Sequence, residues 1–208
     1  MKKSANNCKT LNRSKKKRKG IIFIVSGPSG SGKTTLCKKL LEQKLIKNSL
    51  VKTISITTRP KRKNETANKD YRFVSETEFL KRLARGQLLE NEKVFGFFYG
   101  TPKSFVEANL KKGKDVLLCI DVKGAQAVKK MYPGACTIFI MPPSIEVLQH
   151  RLRERSTETQ HHMAERLKIA QWEMEFAEKY DYVIINNRLN VALAQLEAAI
   201  IIERARRE

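Results

Sequence analysis

Acidic side chains are the scarce class in this sequence. Asp and Glu number 21 against 42 Lys and Arg, a formal charge of +21. Long apolar runs are missing as well. None approaches the roughly 18–20 residues that a membrane helix needs, which excludes a helical membrane protein and implies a soluble chain. Cysteine is sparse, and Cys8, Cys37, Cys119 and Cys136 form no C-x-x-C pair. That excludes a disulfide framework and a zinc site, and the expectation is of buried or incidental thiols in a reducing cytosol. His150, His161 and His162 are the only histidines and make no metal set; they belong on helix surfaces.

The positive charge is unevenly spread. Residues 1–19 hold nine Lys or Arg and no acid, ending in Lys15-Lys16-Lys17-Arg18-Lys19, which leaves 33 basic and 21 acidic groups in the rest. The tail is polar and lacks an apolar core, so a secretory signal is not expected. Such a tail can touch nucleic acid or an anionic surface, but a disordered, solvated extension is the reading preferred here. The excess in the body fits a site where polyanions converge on cations.

What the sequence does have is a loop of unusual information content. Gly27-Pro28-Ser29-Gly30-Ser31-Gly32-Lys33-Thr34 follows the apolar run Ile21–Val25 and precedes Thr35-Leu36-Cys37-Lys38-Lys39-Leu40-Leu41. This is G-x-x-x-x-G-K-[ST] between a strand and a helix, the context the motif requires. The glycines let backbone N–H groups turn inward at a helix N-terminus, forming a nest for phosphate oxygens. Lys33 supplies a point charge for the β- and γ-phosphates, and the Thr34 hydroxyl is placed to ligate Mg2+. A nucleoside triphosphate, ATP in the simplest case, is the implied ligand of residues 27–35.

Along the chain, short apolar β-branched runs alternate with helical periods. Strands are expected near 21–26, 51–56, 116–120, 136–141 and 182–186. Helices are expected near 33–44, 102–112, 123–132, 144–153, 161–180 and 190–205. Continuously apolar strands suit a parallel sheet covered on both faces, so the fold class is α/β, a doubly wound parallel sheet with a P-loop. Between 59 and 100 the pattern changes to a basic loop, a short strand at Tyr71–Val74, a capping box at Ser75–Glu78, and two extended pieces. This reads as a small mixed α/β insertion. The polar stretch Arg151–Arg166 reads as a helical lid. Ser55-Ile56-Thr57-Thr58-Arg59-Pro60-Lys61-Arg62 places two arginines three apart beyond a strand end, a fork suited to phosphate or, equally, a solvated basic loop. Asp121 ends the strand Val116–Ile120 beside the loop, where a carboxylate can hold Mg2+ through water.

The order Ser55…Arg59-x-x-Arg62, Lys69-Asp70-Tyr71, Glu90, Val94-Phe95-Gly96…Tyr99-Gly100-Thr101, Ile120-Asp121-x-x-Gly124 and Pro142-Pro143-Ser144 resembles the guanylate kinases over nearly everything after residue 20. The resemblance implies a nucleoside monophosphate kinase that moves the γ-phosphoryl group of ATP to GMP, with Mg2+. It would put Arg59, Arg62, Tyr71 and Tyr99 on the GMP phosphate and Glu90 on guanine N1–H and its exocyclic amine. Ser55 and Thr101 would serve the remaining base edge, and Asp121 would join the GMP site. Arg151, Arg155 and Arg166 match the family's lid arginines, and Asn186 its adenine-side contact. The implied organisation is a basic tail at 1–19, a core at 20–58 and 101–208 carrying a lid at 151–166, and a GMP-binding insertion at 59–100. The partners are then ATP and GMP, with dGMP tolerance and the oligomeric state left open; the location implied is the cytoplasm.

Several positions depart from the family pattern. Cys119 stands where an acid is common, Lys123 where Gln is commoner, and Phe97-Phe98 where Asn-Tyr is usual. Ser156 replaces a lid glycine, and Asn187-Arg188 stand where acids usually follow Asn186. Three other readings compete: an AMP or TMP kinase, a phosphopeptide-binding module, and a nucleic-acid-binding NTPase. The intact phosphate loop speaks against the module, and neither Glu90 nor Tyr99 has a purpose in the last.

Overall fold

In the computed structural model, residues 19–63, 65–155 and 160–207 are described. The basic tail before Lys19, Cys8 and Ser156 lie outside them, as do the side chains of Arg155, His161 and His162. Five apolar runs form one parallel sheet: β1 (Ile22–Ser26), β2 (Leu50–Lys52), β7 (Asp115–Cys119), β8 (Cys136–Met141) and β9 (Tyr182–Ile185). Their order is β2-β7-β1-β8-β9, so the first strand sits in the middle and the chain leaves it in both directions. Parallel pairing needs long crossovers, and the helices that supply them cover both faces. On one face, α1 (Lys33–Leu40) and α7 (Leu189–Ala205) bury Leu36, Leu40, Leu196 and Ile200 against Phe23, Val25 and Ile138. On the other, α3 (Lys103–Lys111) and α4 (Val122–Met131) bury Val106, Ala125 and Val128 against Ile22, Ile24 and Leu118. The doubly wound parallel sheet expected from the sequence is present.

Three elements differ from the sequence expectation; in one, the helix expected over 161–180 runs only to Met174, and Ala177–Lys179 form a separate 3-10 turn. The run 51–56 is not one strand. Leu50–Lys52 pairs with β7, whereas β3 (Ile56–Thr57) belongs to a second sheet. Helix α1 stops at Leu40 and gives way to turns, because the next buried apolar residues after Leu36, Cys37 and Leu40 are Ile46 and Leu50. A gap of six breaks the helical spacing.

The second sheet has the order β4-β3-β6-β5, with β4 (Arg72–Phe73), β5 (Leu88–Val94) and β6 (Phe97–Pro102). It spans Ile56 to Pro102 and is mixed: β3 runs parallel to β4 and antiparallel to β6. The helix α2 (Glu76–Ala84) backs it, started by the Ser75 hydroxyl, which accepts from the Glu78 N–H at 3.2 Å. Phe79 anchors α2 by stacking on Phe98, centroids 5.2 Å apart. Beyond β8, α5 (Ile145–Arg155) and α6 (Gln160–Met174) pack on each other through Leu148, Leu152 and Ala170.

Candidate active site

The phosphate loop leaves the C-terminal end of β1, at the point where the sheet's strand order reverses, which is where such sheets collect ligands. Its last residue, Gly32, caps α1 in a left-handed conformation (φ 96°, ψ 9°), and a Cβ there would strike the Asn186 amide. The loop is braced from across the chain. Asn186 Nδ2 donates to the Ser31 carbonyl at 2.7 Å, while the Asn186 N–H donates to the Met141 carbonyl at 2.8 Å. Asn186 therefore braces the loop. Lys33 Nζ donates to the carbonyls of Gly27 (2.5 Å) and Pro28 (3.0 Å). Thr34 and Thr35 are exposed at the first turn of α1. The Ser31 hydroxyl is buried without a hydrogen-bond partner among the described residues. Such an orphan costs about 1–3 kcal/mol unless an acceptor arrives.

Asp121 follows β7 and caps α4, its Oδ1 accepting the Gly124 N–H at 2.7 Å. Cys119, half-buried at the end of β7 two residues earlier, has its thiol drawn down by a hydrogen bond with Cys37, with Lys33 and Lys52 contributing.

Across the cleft, the insertion sheet carries Glu90, only 7% exposed. Thr101 Oγ1 donates to its Oε1 at 2.6 Å. Gly124 comes so close that a Cβ on it would lie 2.9 Å from Oε2, so the α4 backbone forms the wall of this carboxylate's pocket. Burial pushes Glu90 up to about 7; the Thr101 hydrogen bond opposes this and the charges of Asp121 and Glu92 reinforce it. Ser55 lies half-buried just before β3.

The arginine fork is half assembled. Arg59 is buried, with Nε donating to Tyr99 Oη (3.1 Å), Nη1 to the Pro60 carbonyl (2.7 Å) and Nη2 to Glu65 Oε1 (2.7 Å). Its guanidinium also lies 5.6 Å from the Tyr71 ring centre, and the Tyr71 and Tyr99 rings meet edge-on at 6.0 Å. Arg62 contributes its backbone N–H to Glu65 Oε2 at 2.9 Å, but its side chain is exposed. Arg59, Tyr71 and Tyr99 are thus together, and Arg62 stands beside them.

On the lid side, Arg151 Nη2 donates to the Asn186 carbonyl at 3.1 Å, and Nη1 is buried without a partner among the described residues. Arg166, on α6, lies 5.3 Å from the centre of the Phe95 ring at the tip of the β5–β6 hairpin.

Two acids escaped the sequence reading. Glu65 is the counter-ion of Arg59; burial would raise its carboxyl, but the hydrogen bonds from Arg59 and the Arg62 amide prevail and hold it below the ordinary carboxylate value. An acid six residues past the first arginine of a basic loop was its signal. Glu173, on α6, is buried against the phosphate loop. Burial pushes it up to about 7, opposed by the charge of Lys33 and a hydrogen bond from the Ser29 N–H. No local sequence pattern marked this acid, which is buried because α6 passes the phosphate loop.

Comparison with known proteins agrees with this architecture. The family model described as guanylate kinase matches residues 18–203. The guanylate kinase of Thermotoga maritima is 43% identical over 188 residues, 90% of this chain and 89% of its own. That of Rickettsia prowazekii is 43% identical over 190 residues, 91% of this chain and 95% of its own. The crystal structure of guanylate kinase from Anaplasma phagocytophilum superposes with a TM-score of 0.73 at 38% identity, over 92% of this chain and 88% of that one. With the match running from the phosphate loop through the insertion to the last helix, the chain belongs to the guanylate kinase family.

Proposed function

We propose that this chain catalyses ATP + GMP ⇌ ADP + GDP. Family membership supports the reaction, and one observation carries the base assignment: a buried carboxylate, Glu90, with Thr101 on one oxygen, the phosphate-binding candidate Tyr99 on the same sheet, and Arg59 and Tyr71 just beyond the ends of its strands β3 and β4. Guanine offers N1–H and an exocyclic amine to a carboxylate. Adenine presents a lone pair at N1 and would leave the acid unpaired in a dry site.

The nucleophile is a phosphate oxygen of GMP, already largely ionised near neutral pH, so no general base is required. Catalysis then rests on alignment and on neutralising charge. Arg59, with Tyr71 and Tyr99 around it and Arg62 adjacent, would bind the acceptor phosphate. Lys33 and the backbone N–H groups of Gly30, Gly32, Lys33 and Thr34 would cradle the triphosphate, and Arg151, Arg155 and Arg166 would meet the charge in flight. The unpaired Ser31 hydroxyl and Arg151 Nη1 are buried donors of the kind such oxygens satisfy.

For Mg2+, the donors at hand are hard oxygens, the Thr34 hydroxyl and the Asp121 carboxylate. This suits an ion that keeps water and phosphate oxygens in most of its shell. Held there, the ion would supply charge neutralisation to the phosphate oxygens. Among the described residues no helix is long and apolar enough to cross a membrane. We place the reaction in the cytoplasm, where free thiols such as Cys37 and Cys136 persist.

The test is a coupled ADP-release assay with GMP, AMP, UMP and TMP offered separately. GMP is expected to be the only good acceptor, and equal turnover of AMP would remove the role given to Glu90.

A further inference from the structure

The turn between β5 and β6 is built from Phe95 and Gly96, closed by the pair Val94–Phe97. Both turn residues have positive φ, 49° and 81°. A two-residue hairpin loop of this kind favours Asn-Gly or Asp-Gly, because a left-handed residue with a bulky Cβ substituent is strained. Among the described residues only Asn68 shares this conformation with Phe95 outside glycine, and Asn tolerates it. The phenylalanine gains little from its own sheet: its ring is 46% exposed. What it touches is on another element. The Arg166 guanidinium lies over the ring at 5.3 Å, inside the range where an aromatic face attracts a cation.

A strained, exposed aromatic whose ring meets a lid arginine has a use that turn formation does not explain. We propose that Phe95 is a positioning residue for phosphoryl transfer: its ring seats Arg166 and so sets the lid helix against the GMP-side sheet. Stacking engages the face of a guanidinium and leaves its edge N–H groups in plane, where they can donate to phosphate oxygens. The same ribbon carries Glu90 four residues before Val94, so the strand that reads the base also presents the seat for the arginine. The inference rests on the phosphoryl-transfer reading above.

The test uses the full chain and the substitutions Phe95→Asn, Phe95→Leu and Phe95→Trp. Asn suits the turn better than Phe, so Phe95→Asn should keep or raise the unfolding midpoint while kcat falls roughly two- to fivefold, the worth of one partly exposed cation–π contact. KM for GMP should not move, since Glu90 and Tyr99 are untouched. Phe95→Leu keeps apolar bulk without a π face and should fall like Asn; Phe95→Trp should restore kcat. In an Arg166→Ala background the effect of Phe95→Asn on kcat should vanish. Wild-type kcat in Phe95→Asn or Phe95→Leu, or additivity with Arg166→Ala, would overturn the inference. A wild-type protein that does not phosphorylate GMP would instead sink the transfer reading. The same double-mutant cycle read by urea unfolding then decides on Phe95, because additive unfolding free energies would show that no coupling to Arg166 exists.

Discussion

Replacing Glu90 by Gln should move stability and specificity in opposite directions. The carboxyl ordinarily titrates near 4.5 and is pushed to about 7, first by burial, in a pocket closed by the Gly124 backbone. Each tenfold change in proton affinity is worth about 1.4 kcal/mol. The sign follows from linkage: the folded protein holds this proton more tightly than the unfolded chain, so stability falls as pH rises from about 4.5 through about 7. The charged form then costs about 3 kcal/mol at pH 8 and about 1 kcal/mol at pH 5. Gln carries no charge at either pH and can still accept from Thr101. Urea unfolding should therefore show Glu90→Gln more stable than the parent, by up to about 3 kcal/mol at pH 8 and by much less at pH 5. Turnover should go the other way. Two charge-assisted bonds to guanine become neutral, at about 1 kcal/mol each, and one amide N–H is turned against a guanine donor. A loss of about 2–4 kcal/mol lowers kcat/KM for GMP by roughly 30- to 1000-fold, while AMP, whose N1 accepts, should lose little or gain. A destabilisation of equal size at both pH values would refute the buried-charge argument. An unchanged GMP-to-AMP ratio would show that the base is read elsewhere.

Other expectations are simpler. Lys33→Ala should lower kcat by at least about a thousandfold while shifting unfolding by about 1 kcal/mol, because its present bonds are to two loop carbonyls; near-normal turnover would contradict its assignment. Arg59→Lys should raise KM for GMP by roughly ten- to a hundredfold, since an ammonium cannot keep the separate directions to Tyr99, Pro60 and Glu65. An unaltered KM would put the acceptor phosphate somewhere else. Arg204→Met removes the partner of Asp115, 1% exposed, which accepts from Arg204 Nε at 2.6 Å and from the Ile21 N–H at 2.8 Å. Unfolding should become easier by about 3 kcal/mol with both KM values unchanged, and a loss below about 1 kcal/mol would show that Asp115 is held by its other contacts.

The legible parts of the fold were those where one signal decides. A β-branched run before a glycine loop gave β1 and the phosphate loop, and the Ser75–Glu78 capping box gave the start of α2. The run 51–56 failed because two sheets share it: the chain passes from β2 into β3 through Thr53-Ile54-Ser55, with no Gly or Pro to mark the break. Of the candidate site, residues with a recognisable type and spacing could be named from the sequence, and those defined by a neighbour in space could not. Glu65 matters because Arg59 needs a counter-ion, Glu173 because α6 runs past the phosphate loop, and Phe95 because a hairpin tip reaches a helix seventy residues later. The Glu173 and Phe95 pairings have no local sequence pattern and are products of the crossover connections, whereas the Arg59–Glu65 pair spans six residues of one loop.

Helix α6 is where these pairings converge. Arg166 and Glu173 are seven residues apart, two turns of helix, and so lie along one face about 10 Å from each other. At one end that face meets Phe95 of the insertion sheet; at the other, Glu173 takes the Ser29 N–H in the middle of the phosphate loop. A helix held at its middle through Arg166 and near its C-terminal end through Glu173, with Leu148 and Leu152 of α5 packed alongside, cannot shift against one candidate site without shifting against the other. In a reaction that must bring two polyanions together and keep water out, that linkage lets the acceptor side and the donor side be set by a single element.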